Sequence, residues 1–134
     1  MKKLLLTLSF ILLGLYTTNA QVSGTDEALG GPRISFSETL FDYGDIPQSI
    51  PAKHEFKFTN TGETPLLIIS ATAACGCTVP KYTEEPIMPG KTGVITVVYN
   101  AANLGSYTKT VNVKTNASKE DVVLTIRVNV VENK

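Results

Sequence analysis

Cys75 and Cys77 are the first residues in this 134-residue chain whose type and spacing could do chemistry, and the chain has no other cysteine. They follow a long apolar run in the stretch Ala73-Ala74-Cys75-Gly76-Cys77-Thr78. A Cys-x-Cys pair supports three chemistries. As a disulfide it closes a very short loop, for which chain entropy gives roughly 1.5 kcal/mol, about half the yield of a fifteen-residue loop. Extended backbone holds the two Cα atoms near the upper limit for bridging, so closure predicts a fold at Gly76 with φ > 0. A bond of that kind is a poor stabiliser and a relatively oxidising couple. As a thiol-redox site the pair needs a cation to lower one thiol pKa, and no Lys, Arg or His adjoins it in sequence. As a metal site it offers two soft ligands for Cu(I) or Zn(II), with His54 and Met88 as further donors, whereas a closed zinc site needs four. A structural corner is the first reading, redox the second and metal the third.

The other candidates are weaker. His54, the single histidine, shares the parity of Phe56 and Phe58, which predicts a partly buried ring with its polar atoms satisfied. A Ser/His/Asp triad would need it in a cleft beside a nucleophile. Glu84-Glu85 could pass for paired carboxylates, but neighbours in a proline-flanked stretch are usually solvated charges. Gly30-Gly31 precedes no helical pattern, so no phosphate-binding loop is indicated. No catalytic residue and no cofactor is expected.

The elements that must position these residues read as strands. His54, Phe56 and Phe58 alternate with Glu55, Lys57 and Thr59, and Asn60-Thr61-Gly62-Glu63 ends that strand with hairpin-turn chemistry. Leu66 to Ala74 is apolar on both parities, which predicts a strand covered on both sides or bent by a bulge. Val79 to Pro86, with two prolines and two adjacent acids, reads as a loop. Val94 to Tyr99 has a central-strand composition. In the last strand Val122, Leu124, Ile126, Val128 and Val130 share one face, with Thr125, Arg127 and Asn129 opposite; a helix would scatter those five around its axis. Gly44 to Pro47 reads as a turn. About seven short strands and no amphipathic helix predict an all-β protein, a single immunoglobulin-like β-sandwich.

The N-terminus supplies an address. Lys2 and Lys3 precede an apolar run from Leu4 to Tyr16, and Ala20 offers a small residue for cleavage, so residues 1–20 read as a signal peptide. That run is too short to cross about 30 Å of hydrocarbon. Residues 21–32, polar and Gly-rich, read as a flexible linker, and residues 33–134 as one domain. The 12 basic and 12 acidic residues balance, and loss of Lys2 and Lys3 leaves the mature chain at −2. With no Lys/Arg cluster there is no electrostatic footprint for nucleic acid. The expectation is an exported protein, periplasmic or secreted, that no longer spans a membrane after cleavage.

Phe41-Asp42-Tyr43-Gly44-Asp45-Ile46, Phe56-Lys57-Phe58-Thr59-Asn60-Thr61-Gly62, Pro65-Leu66, Cys75-Gly76-Cys77-Thr78 and Pro89-Gly90 together resemble the bacterial family catalogued as domain of unknown function 1573. That family is similar in turn to immunoglobulin-like domains of the major-sperm-protein and Hydin type. The resemblance covers Ile34 to Val130 and implies a fold and an extracytoplasmic setting, but no activity. The expected function is that of a non-catalytic module that binds an envelope or extracellular protein or supports an envelope assembly. The alternative is a small thiol-redox or copper-handling protein built on Cys75-Gly76-Cys77.

Overall fold

β-branched and aromatic residues at alternate positions give this chain strands with one apolar face, and two such faces bury each other. The computed structural model describes residues 30–134, so the expected leader (1–20) and all but the end of the expected linker (21–32) lie outside the described residues. Eight strands follow in order: β1 (Ile34–Phe36), β2 (Leu40–Pro47), β3 (Ala52–Asn60), β4 (Ile68–Ala73), β5 (Thr78–Tyr82), β6 (Thr92–Tyr99), β7 (Gly105–Thr115) and β8 (Val122–Val131). They form two four-stranded sheets, β1-β3-β6-β5 and β2-β8-β7-β4. All neighbours are antiparallel except β2 and β8, which run parallel. The immunoglobulin-like sandwich is as expected, with one strand more.

The core lies between the sheets. Phe56, Phe58, Ile95 and Val97 enter it from the first, and Val111, Val113, Leu124 and Ile126 from the second; none is more than 1% exposed. The face expected for β8 holds, since Val128 and Val130 are also buried while Arg127 is exposed. Each such side chain contributes about 1.5–3 kcal/mol of burial.

Three expectations are corrected. Val79 to Pro86 is not all loop, because Thr78–Tyr82 forms β5. Pro80 fits there because β5 is an edge strand, where a missing N–H costs no ladder bond on the outer side. Gly44 does not end β2. It bends the strand at a bulge between Asp42 and Asp45, with φ 63° and its N–H donating to Asp42 Oδ1 at 2.8 Å. Asn60-Thr61-Gly62 makes no hairpin, because β3 and β4 lie in different sheets.

Asn60 instead anchors the crossover. Fully buried, it donates from Nδ2 to Thr64 O (2.8 Å) and Ile87 O (2.9 Å), and its Oδ1 accepts the Gly62 N–H (2.9 Å). Its backbone joins Lys91 O and Gly90 N–H. Against this hub lies the end of the expected linker: Gly31 O accepts from Glu63 N–H and Arg33 O from Thr61 N–H. A Cβ at Gly62 would collide with the backbone of residues 31–33, so only glycine admits that close approach.

Candidate functional site

The apolar run ambiguous in sequence resolves into a bulged edge strand. The β4–β7 register shifts between Ile68 and Ser70, so Ile68 is buried while Ile69 on the solvent side is 53% exposed. Beyond Ala73 the chain must leave the second sheet and enter the first, where β5 begins at Thr78. Cys75-Gly76-Cys77 is that corner.

The two cysteines stand with their sulfurs at disulfide distance and their Cα atoms 5.3 Å apart. Thr78 N–H donates to Cys75 O at 3.4 Å, closing the turn, and Asn100 N–H donates to Cys77 O at 2.9 Å, fastening it to the end of β6. The buried Thr78 places its Oγ1 3.9 Å from both sulfurs. The positive φ expected at Gly76 is absent: among the described residues the glycines with positive φ are Gly30, Gly44, Gly90 and Gly105. An ordinary turn over four residues already brings the Cα atoms within bridging range, so no left-handed residue is required.

The corner is asymmetric. Cys77 packs against the core, whereas Cys75 lines an open hollow of about 250 Å³ with Ala74, Thr108, Lys109 and Thr110. Lys109 belongs to β7 and reaches the hollow through pairing that sets Ala73 opposite Val111. Sequence reading missed this cation because it lies far along the chain; the β4–β7 register is the one signal that reveals it. The Lys109 ammonium lies 5.3 Å from the Tyr107 ring centroid, a cation–π position.

The other predicted donors lie elsewhere. His54 is on β3, about 10 Å across the sheet from β5 by strand spacing, and the register sets it level with Pro80, three residues beyond Cys77. Its ring stacks on Phe41 at 3.5 Å and 8°, meets Phe56 edge-on, and places Nε2 2.8 Å from Glu38 Oε1. The partly buried, satisfied ring is as expected, with a carboxylate partner the sequence did not reveal. Met88 is 53% exposed in the turn before β6 begins, whereas Cys77 adjoins the end of β6 at Tyr99. Glu84 and Glu85 are both exposed. Among the described residues no three His, Cys, Asp or Glu side chains gather as a metal site.

Near His54, Tyr43 donates its hydroxyl to Ala52 O and Val97 O, each at 3.4 Å, and burial pushes its pKa up to about 12. Burial, then the neighbouring Tyr107, also raises Tyr99 above the usual phenol value. No described helix is long and apolar enough to cross a membrane.

Known structures share the architecture. A protein of unknown function from Porphyromonas gingivalis W83 superposes with a TM-score of 0.65 at 16% identity, over 73% of this chain and 46% of that one. The ASH/PapD-like domain 7 of human CEP192 gives 0.62 at 9%, over 75% and 87%. The VesB protease of Vibrio cholerae gives 0.58 at 13%, over 72% and 31%. This chain spans less than half the length of the first and last of these, and at such identities the likeness shows the fold alone. No curated protein matches the chain by sequence. A family model described as protein of unknown function (DUF1573) matches residues 34–130, from the start of β1 through the core-facing run of β8, and the chain belongs to that family.

Proposed function

We propose that the chain is an exported, non-catalytic immunoglobulin-like module that binds a partner protein of the cell envelope along the edge of β4. The observation that carries this reading is the unequal protection of the sheet edges. A free edge offers unpaired N–H and C=O groups to another chain unless it is short, interrupted or charged. β1 has only three residues, β5 contains Pro80, and β2 is broken by its bulge at Gly44. β4 also carries a bulge, but at its start, between Ile68 and Ser70, and beyond it keeps a regular run from Ser70 to Ala73, with exposed Leu67 and Ile69 leading into it. Export rests on the N-terminal sequence signal, and the periplasm or the cell exterior is the proposed compartment.

The test is affinity capture from the envelope fraction with the mature protein and its Ile69→Lys variant, which places a charge beside the edge. A partner retained by the first and lost from the second, at unchanged melting temperature, supports the reading. Equal capture by both removes β4 from it.

A further inference from the structure

We propose that the Cys75–Cys77 pair is a thiol–disulfide exchange site, attacked at Cys75 Sγ, at which Lys109 selects small thiols that carry negative charge. This goes beyond the binding reading and does not depend on it. Three observations combine. The corner joins two strands and closes a loop too short to contribute much stability, so its reduction leaves the sandwich standing. Both cysteines are half-buried, but their surroundings differ: Cys75 lines the open hollow and Cys77 packs on the core. Lys109 lines the same hollow as Cys75, and among the described residues no carboxylate lies within ion-pair distance of it. A cation at the rim of the hollow attracts anionic reactants into it.

The chemistry balances with two thiols as the reductant. The thiolate of the first attacks Cys75 Sγ, forming a mixed disulfide and breaking the Cys75–Cys77 bond. The bonding pair leaves on Cys77 as a thiolate, and Thr78 Oγ1 beside it is placed to donate a hydrogen bond. The second thiolate attacks the small-molecule sulfur of the mixed disulfide and releases the oxidised small molecule. Cys75 and Cys77 take up the two protons the thiols gave up. Two electrons pass from the thiols to the protein, and the reverse sequence oxidises two thiols.

Glutathione, which carries net negative charge, and cysteamine, which carries positive charge, are the probes. The oxidised mature protein is mixed with each, quenched by alkylation and read by intact mass. Lys109→Gln should slow reduction by glutathione about three- to tenfold, a local charge effect in high dielectric. It should leave cysteamine unchanged or faster, and Lys109→Arg should restore the glutathione rate. In wild-type oxidised protein quenched by alkylation early in the reaction, peptide mapping should find the glutathione adduct on Cys75 and the alkyl group on Cys77. Equal slowing of both thiols, or no slowing of either, overturns the selectivity. An adduct on Cys77 instead overturns the point of attack.

Discussion

Replacing Gly76 by Ala should leave the Cys75–Cys77 bond intact, because Gly76 has no positive φ and a Cβ there would meet nothing within 4 Å. Thiol counting on denatured, alkylated protein checks this; loss of the bond in the variant would mean that glycine is needed after all. Tyr43 carries a pH prediction. Its folded pKa of about 12 lies above the ordinary 10.0, so its stabilising share is complete below pH 10 and is lost as pH rises towards 12. The melting temperature should fall across that window, and less steeply in Tyr43→Phe. Tyr99, also raised by burial, should keep the residual slope. The corner itself was legible at this scale, since two cysteines at the end of an apolar run stand out. Lys109 was not, because its approach to Cys75 depends on strand pairing and not on neighbouring sequence.

Asn60→Ala should destabilise the domain by about 2–4 kcal/mol, because Thr64 O and Ile87 O would lose a buried donor. Gly62→Ala should cost about 1–3 kcal/mol by forcing the chain at Gly31–Arg33 away. Chemical denaturation measures both, and a neutral Asn60→Ala would remove the hub from the account. Element by element, strands with clean alternation were readable: β3 and β8 bury the predicted faces. β5 was not, since Pro80 argues against a strand unless its edge position is known. Leu66 to Ala74 gave no faces because a bulge cancels the two-residue period on which such a reading depends. Asn60-Thr61-Gly62 resembled a hairpin because the residues that cap a buried crossover are the same types that make tight turns.

At the scale of the whole molecule, two opposed faces must meet along the full length of β8. Leu124→Ala or Ile126→Ala should therefore cost about 2–5 kcal/mol, and Arg127→Ala far less. Equal costs at Leu124 and Arg127 would contradict the sandwich register. If the proposed export holds, mass spectrometry of the protein recovered from the envelope or the medium finds an N-terminus at Gln21; an intact Met1 form there would contradict it. The sandwich leaves four edges; three are short, interrupted by proline or broken at Gly44, whereas β4 past its bulge pairs regularly from Ser70 to Ala73 beside the exposed Ile69, which is what the proposed interaction module requires. Photo-crosslinking in intact cells tests that claim most directly, with the reactive residue at position 69 and, as controls, at the exposed positions Asn112 on β7 and Glu55 on β3. A discrete crosslinked species from position 69, absent from both controls, is the predicted result; no species beyond the controls would contradict the account.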